Sequence, residues 1–248
     1  MNTLLTIAKR EFRAYFDSPL AYVVICLSFF GLGLMFFMYQ GGYWQIDRAT
    51  LQPLFEYVPA GLAVLVVPVV TMRLMAEERR SGTLEMLITL PVKDSDVIMG
   101  KYLGALGLVL VLVLSTLAYP LVMFKFPWNL GPLDGGPVGS GYLGMVLFSG
   151  AAVAIGLLIS AMTESQAVAF FITFFVLGAL WLFGDLAGKA SSSGYPGLAA
   201  VLNYVSFQSR LNNFWRGLVD SRDVIFFLSV TVLSLMVAFR ALERRKWA

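Results

Sequence analysis

Several apolar runs in this chain are long enough to cross a membrane and contain no acidic or basic side chain. Residues 20–39, 102–124 and 165–184 are the clearest of them. A helix needs roughly 20 apolar residues to cross a hydrocarbon core of about 30 Å. Charged residues make up only 13% of the chain, whereas a typical soluble domain carries about 25%. The sequence therefore predicts an all-α integral membrane protein.

Uninterrupted apolar windows predict six transmembrane helices in a single domain, residues 1–248. The windows lie near residues 20–39, 57–75, 98–124, 142–163, 165–184 and 223–241. Pro59 and Pro68 lie in the second window and should kink its helix. The first window is too long for a signal-peptide core and lacks a cleavage pattern, so we expect it to be retained. The single cysteine, Cys26, excludes an intramolecular disulfide and makes a metal cluster implausible.

The distribution of basic residues predicts the orientation. With the N-terminus inside, the cytoplasmic segments hold 12 basic residues and the opposite side holds six. The positive-inside rule then places both termini in the cytoplasm.

The charge inventory also bears on the energy source. All 15 acidic and 18 basic residues lie between the apolar runs or at their ends, and the chain has no histidine. Carriers coupled to protons or cations usually keep an ionisable side chain near mid-membrane. We therefore expect the energy for any transport to come from outside the bilayer. Intramembrane proteolysis also lacks its catalytic residues, so no enzyme is predicted. The stretch 184–189 is one residue short of a phosphate loop, and we attribute it to chance.

The N-terminal segment, residues 1–19, predicts an amphipathic helix that lies in the membrane interface. Its apolar side combines Leu4, Leu5, Ile7, Ala8, Phe12, Tyr15 and Phe16. Asp17, Ser18 and Pro19 should end the helix. Glu11 projects from the apolar side, where an unpaired carboxylate is costly. We therefore predict an ion pair between Glu11 and Arg73, Arg79 or Lys101.

The segment 73–97 carries the most unusual pattern. Glu77–Arg80 should continue the second span into water, and Ser81-Gly82 should break the helix. Thr83 then caps a short helix that Pro91 ends, and Asp94-Ser95-Asp96 caps the next helix. A solvated loop is the alternative, but a capped helix between two spans suits docking against a soluble partner.

Two further patterns concern helix packing. Residues 190–222 open with a flexible turn, Ser191–Gly194, and continue with apolar residues at helical spacing that are too interrupted to span. They predict short re-entrant helices that dip into the outer leaflet. Gly100 and Gly104 could let two helices approach closely, although such pairs are frequent.

The segment 75–92, MAEERRSGTLEMLITLPV, followed by Gly100-Lys101, resembles the signature of ABC-2 type transporter permeases. The resemblance implies that residues 77–90 are a coupling helix that contacts a cytoplasmic ATPase. The implied contact residues are Glu77, Glu78, Arg79, Arg80, Ser81, Gly82, Thr83, Leu84, Glu85, Leu87 and Leu90. The implied connecting helix precedes the first span and carries Lys9, Arg10, Glu11 and Arg13.

The tail, residues 214–229, is similar to the gliding-motility (GldF-like) branch of that family, whose last two spans are joined by short outer re-entrant helices. Residues 208–213 lack the histidine that relatives of this branch often have. We therefore do not assign the substrate of that branch to this chain.

The resemblance implies the membrane subunit of an ATP-driven exporter in the bacterial inner membrane. The partners would be a second permease copy or a paralogue, in a homodimer or heterodimer, and two ATPase subunits that bind the ATP and Mg. This chain itself would bind no cofactor, metal or nucleic acid. The alternatives are a permease of the nitrous-oxide-reductase-maturation type, a scaffold that only anchors an ATPase, and an ion-coupled carrier or channel. The path of such a carrier could be lined by hydroxyl groups, for example those of Ser115, Thr116, Ser149 and Thr173.

Overall fold

The computed structural model describes residues 3–38, 51–80, 82, 93–124 and 135–243. Within these ranges every regular element is helical. The α-helices are α1 Thr3–Asp17, α2 Pro19–Met38, α3 Gln52–Gly61, α4 Val67–Thr71, α5 Ala76–Arg80, α6 Asp94–Ser115, α7 Ala118–Phe124, α8 Gly135–Met162, α9 Gln166–Ser192, α10 Pro196–Val205, α11 Phe207–Trp215 and α12 Ser221–Glu243. The predicted all-α architecture is confirmed.

Five helical segments in the described ranges are long and apolar enough to cross a membrane. They are Gln52–Arg80, Asp94–Leu121, Gly135–Met162, Gln166–Ser192 and Ser221–Glu243. A bent pair, α1 with α2, gives a sixth when it is counted as one span, and its two helices meet at 72°. The described residues thus give five of the six predicted spans in the predicted order, and a sixth if α1 is joined to α2, whereas the predicted first span covered residues 20–39 alone.

The helix ends differ from the predicted windows. The second span begins at Gln52 rather than 57, the fourth begins at Gly135 rather than 142, and α9 continues to Ser192 rather than 184. Hydropathy marks the apolar part of a helix, whereas backbone hydrogen bonding continues beyond it. The predicted flexible turn at Ser191 is therefore shorter, and it centres on Gly194 with a φ of 85°. Residues 184–189 lie inside α9, so they form no phosphate loop.

The two prolines of the second span flank a π-helical segment, Leu62–Val66. The backbone N–H of Val67 donates to the carbonyl of Leu62, five residues back. A π-helical turn contains one residue more than an α-helical turn. Because Pro68 has no N–H to donate, this additional residue is accommodated where the backbone hydrogen bonds are already interrupted. What the structure shows between Pro59 and Pro68 is a local change of helix type, within a segment that remains one span from Gln52 to Arg80.

The centre of the bundle is α8, which contacts α6, α9, α11, α12 and parts of the second span. Small side chains such as Ser149, Ala151 and Ala154 are fully buried and let the neighbouring helices approach. The ring of Phe148, also fully buried, lies 5.6 Å from that of Phe207 and meets it edge to face. This packing joins the short helix α11 to the middle of the bundle.

A buried charge holds the short helices α10 and α11 to the start of α12. Asp223 is 1% exposed, and both of its carboxylate oxygens accept hydrogen bonds. Arg210 Nη1 donates at 2.9 Å and Asn213 Nδ2 at 2.7 Å. The Arg210 guanidinium also lies 4.8 Å from the ring centre of Tyr204. The short helices predicted between the last two spans are present, and this cluster sets their position.

We predict that Asp223→Ala strongly destabilises the fold, because the partly buried Arg210 guanidinium loses its buried counter-ion. Removing one partner of a buried pair costs about 3–5 kcal/mol. The free energy of unfolding should be measured by titrating dodecyl sulfate into mixed micelles. Glu243→Ala, which removes the exposed partner of Arg240, is the matched control and should cost at most about 1 kcal/mol. Equal losses in the two variants would contradict the structural role of Asp223.

Candidate functional site

Helix α1 lies against a stripe of glycines on α6. A Cβ atom added to Gly104 would lie 2.7 Å from Cβ of Glu11 and 3.2 Å from the carbonyl oxygen of Ala8. A Cβ atom on Gly100 would lie 2.6 Å from Cγ2 of Ile7. These distances are too short for any larger residue without a shift of α1. The Gly100/Gly104 pair, whose pattern is too frequent to predict a contact by itself, is therefore the surface on which α1 docks. Leu5, also on the predicted apolar side of α1, is 60% exposed.

One buried cation joins three elements at this end of the bundle, which we call the α1 end. The side chain of Lys101, on α6, is 3% exposed. Its Nζ lies 2.7 Å from Oε1 of Glu78, on α5, and 3.3 Å from Oε1 of Glu11, on α1. The predicted ion pair of Glu11 is thus confirmed, with Lys101 as its partner. We call Glu11, Glu78 and Lys101 the lysine cluster.

The other two candidate partners of Glu11 are engaged elsewhere. Arg73 Nε donates to Oε2 of Glu77 at 3.1 Å, one turn further along the chain. Arg79 Nη2 donates to the carbonyl oxygen of Ala161 at 2.6 Å. A further cation, Arg10, reaches Glu11 Oε1 at 3.0 Å from the exposed side of α1. The lysine cluster is therefore buried on its α6 side and solvated on its α1 side.

The end of α8 holds the short helix α5 in place. The second span breaks into a turn at residues 72–75 before α5 begins. Ser160 Oγ accepts hydrogen bonds from the backbone N–H groups of Met75 and Ala76, at 3.1 and 3.2 Å. The Arg79 bond to Ala161 adds a second attachment one turn later. Since these amides start a new helix, Ser160 satisfies donors that would otherwise lack an acceptor.

Tyr15 connects α1 to the second span. Its hydroxyl donates to the carbonyl oxygen of Val70 at 2.9 Å. Burial raises the pKa of Tyr15 well above its ordinary value, and nearby Glu11 adds to the shift. The hydroxyl therefore remains a neutral donor at physiological pH. Beside it lies a cavity of about 230 Å³, lined by residues that include Arg73 and Glu77.

The predicted contact residues fall into three groups. Exposed side chains that could meet a partner are Lys9, Arg10, Arg13, Glu77 and Arg80. Partly buried side chains that join the helices to one another are Glu11, Glu78 and Arg79. Residues that lie outside the described ranges are Ser81, Thr83, Leu84, Glu85, Leu87 and Leu90.

Two predicted helix boundaries can be compared with the structure. Gly82 has a φ of 71°, which favours glycine and ends α5 as predicted. The predicted cap Asp94-Ser95-Asp96 is wrong in detail. The N-cap residue of α6 is Lys93, without a side-chain capping bond, and Asp94 and Asp96 lie in the first turn. There the two carboxylates still interact favourably with the helix dipole.

Sequence reasoning missed Ser160 and Ala161. Hydroxyl groups in apolar helices commonly bond to a carbonyl of their own helix, as Thr71 does to Val67. Nothing in the sequence distinguishes Ser160, which bonds across to α5, from such residues. Lys101, in contrast, could be identified from the sequence as a residue that needs a partner, because it is a cation within the predicted third span.

The described geometry is that of a membrane helix bundle with a charged, helix-linking surface at one end. A family model for the ABC-2 family of transporter proteins matches residues 5–247. The chain belongs to this family. A comparison with curated proteins finds no significant match. Membership makes this chain a permease, the membrane subunit of an ABC transporter, and a subunit that is not itself catalytic. It also implies an ABC ATPase as partner.

We predict that Lys101→Met destabilises the α1 end, because it leaves Glu11 and Glu78 facing each other without the shared cation. The loss in unfolding free energy should approach the about 3–5 kcal/mol expected for breaking a buried pair. Adding Glu11→Gln and Glu78→Gln should recover most of it, since no unpaired charge then remains. Arg240→Met, at an exposed pair, is the control. Failure of the triple variant to recover stability would show that packing, not charge, is what Lys101 provides.

Proposed function

We propose that this permease couples ATP hydrolysis by a separate ABC ATPase to export of a substrate across the bacterial inner membrane. The ATPase would dock on the segment between α5 and α6, together with the exposed basic face of α1. The single observation that best supports this is the lysine cluster. It links α5, which leads into the segment, to α1 and to a membrane-spanning helix.

The contacts at the α1 end provide a route for force. A push on the segment after Gly82 would act on α5 through the chain itself. Glu78 links α5 to Lys101 on α6, and Ser160 with Ala161 links it to α8. Two spans would therefore move with α5, and α1 would follow through Glu11. A solvated loop would need none of these attachments.

The charge distribution supports ATP rather than an ion gradient as the energy source. The uncharged middle of each described span offers no side chain to bind and release a proton. Three of the four hydroxyls that could line an ion path bond to carbonyls of their own helices. They belong to Ser115, Thr116 and Ser149, at 2.6, 2.6 and 2.7 Å. These bonds engage the hydroxyl protons and leave the oxygen lone pairs, so it is the lack of ionisable side chains in the middle of the described spans that disfavours ion coupling.

The finer assignment is to the gliding-motility branch, with a second permease copy or a paralogue completing the transporter. It is supported by the pair of short helices between α9 and α12, a feature implied for that branch. A permease of the nitrous-oxide-reductase-maturation type remains the second candidate for the branch. In either case both termini would be cytoplasmic.

The docking proposal predicts that Glu85→Lys and Gly82→Pro each weaken co-purification of the ATPase. The first reverses a charge at the proposed contact. The second places proline, whose φ is fixed near −65°, where φ is 71°. The permease should be tagged, co-expressed with its ATPase, and the bound ATPase quantified after detergent extraction.

Arg222→Glu provides the control for this experiment. It reverses an exposed charge in the first turn of α12, at the end of the bundle opposite α1, where an acidic residue suits the helix dipole, so both membrane insertion and ATPase binding should be unchanged. Unchanged ATPase binding in both Glu85→Lys and Gly82→Pro would refute docking at this segment.

The orientation predicts a sided labelling pattern. In a Cys26→Ala background, single cysteines should replace the exposed Ser165, at the α1 end, or Ser193, at the opposite end. A membrane-impermeant maleimide applied to intact bacterial cells should label the Ser193→Cys variant only. Permeabilised cells should show labelling of both variants. Labelling of Ser165→Cys in intact cells would show that the orientation is the reverse of the one proposed.

A further inference from the structure

One side of α1 combines apolar and basic side chains that point away from the bundle. Leu5, Lys9, Arg13 and Phe16 follow one another at intervals of four, four and three residues. At about 100° of rotation per residue they fall within an arc of about 80° on the helix. The first three are exposed and Phe16 is partly exposed, because a different side of α1 packs against the glycines of α6. We call these four residues the exposed stripe of α1.

The exposed stripe continues into the exposed apolar surface of α2. The ring of Phe16 lies 6.2 Å from that of Tyr22, near the start of α2, and Tyr22 is 56% exposed. Val23, Leu27 and Phe30 extend this surface along α2. Since α1 meets α2 at 72°, it runs closer to the plane of the membrane than to its normal. The stripe therefore lies where interfacial helices place apolar side chains toward the acyl chains of the lipids.

Lys9 and Arg13 carry charges without a counter-ion among the described residues. Neither side chain forms a salt bridge there, not even with the exposed Asp17, one turn after Arg13. Arg10 differs, because its guanidinium lies 3.0 Å from Glu11 and so beside the lysine cluster. Lysine and arginine side chains next to an apolar surface lay their stems along it and keep their charges at its polar edge. At a membrane interface that edge is the layer of lipid headgroups.

We infer that the exposed stripe of α1 recognises anionic phospholipids. Lys9 and Arg13 would each pair with a headgroup phosphate, while Leu5 and Phe16 lie among the upper parts of the acyl chains. A zwitterionic lipid offers the same phosphate but adds an ammonium group, which repels the two cations, so a lipid with a net negative charge is preferred. This contact goes beyond the proposed coupling function and requires no ATPase. Arg10, beside the lysine cluster, remains available to the ATPase.

Quenching by spin-labelled lipids tests this preference. In a Cys26→Ala background, the full-length Leu5→Cys variant should carry a bimane fluorophore and be placed in lipid nanodiscs. Phosphatidylglycerol and phosphatidylcholine, each with a nitroxide near the carboxyl end of one acyl chain, are then compared as quenchers. Phosphatidylglycerol should associate with the labelled site at least about fivefold more strongly, the effect of one cation near an anionic lipid surface. Equal association of the two lipids would overturn the proposal.

Substitutions of single charges locate the lipid contact. Lys9→Gln and Arg13→Gln should each reduce the preference for phosphatidylglycerol, and the double variant should lower it at least about fivefold. Lys9→Arg combined with Arg13→Lys keeps both charges and should retain the preference. Arg10→Gln is the matched control, because it removes the same charge from the same helix on the side of Glu11, and it should change the preference less than about twofold. An equal loss in Arg10→Gln and Lys9→Gln would show that the net charge of α1, not the exposed stripe, attracts the lipid.

The same double variant distinguishes the lipid from the ATPase as the partner of these cations. After detergent extraction, Lys9→Gln combined with Arg13→Gln should still co-purify with the ATPase, because the segment after Gly82 and Arg10 are intact. Loss of the ATPase together with an unchanged lipid preference would assign both cations to the ATPase and overturn the lipid proposal. Loss of ATPase docking in Gly82→Pro with an intact lipid preference would refute the coupling contact alone and would support an independent lipid contact.

Discussion

The structure of the α1 end depends on one lysine placed about two turns inside a membrane-spanning helix. An unpaired ammonium at that depth would be costly, so Lys101 requires carboxylates close by. The sequence supplies them from two other helices, Glu11 on α1 and Glu78 on α5. If both carboxylates were removed, Lys101 would be a buried charge without a counter-ion among the residues of the cluster. The cost of burying one cation thus fixes the positions of an interfacial helix and of the helix that leads into the proposed coupling segment.

Charge alone would not bring α1 close enough. The side chains of Lys101 and Glu11, which pair at 3.3 Å, are long enough to do so across a wider gap, so the near contact of the two backbones is made possible by Gly100 and Gly104. The glycines allow α1 to pack closely on α6, and the ion pair of Lys101 selects the register in which the two helices pack. Dispersion forces between small residues position helices without choosing a register, whereas a single ion pair chooses one. The combination explains why Gly100-Lys101 and Gly104 lie within one short stretch of α6.

The sequence was sufficient for the fold class and the span order, because burial in lipid requires long uncharged helices. It also required a partner for Glu11, since a carboxylate on an apolar helix face needs one. It could not choose among Arg73, Arg79 and Lys101, because that choice depends on which faces of α4, α5 and α6 meet. The π-helical segment and the hydrogen bonds of Ser160 also could not be predicted from the sequence. Both arise where one helix accommodates another, and neither leaves a periodic signal along the chain.

Helix α8 makes hydrogen bonds to other helices at both ends of the molecule. At the α1 end, Ser160 of α8 binds the amides that begin α5. At the opposite end, Ser140 Oγ donates to the carbonyl oxygen of Phe214 on α11 at 2.7 Å. About 20 residues separate them, or roughly 30 Å of continuous helix at 1.5 Å per residue. Since a buried helix is stiff along its axis, an axial displacement of α5 that α8 follows reaches α11. A change at the proposed ATPase contact can thus reach the opposite end of the bundle without any charge moving through the bilayer.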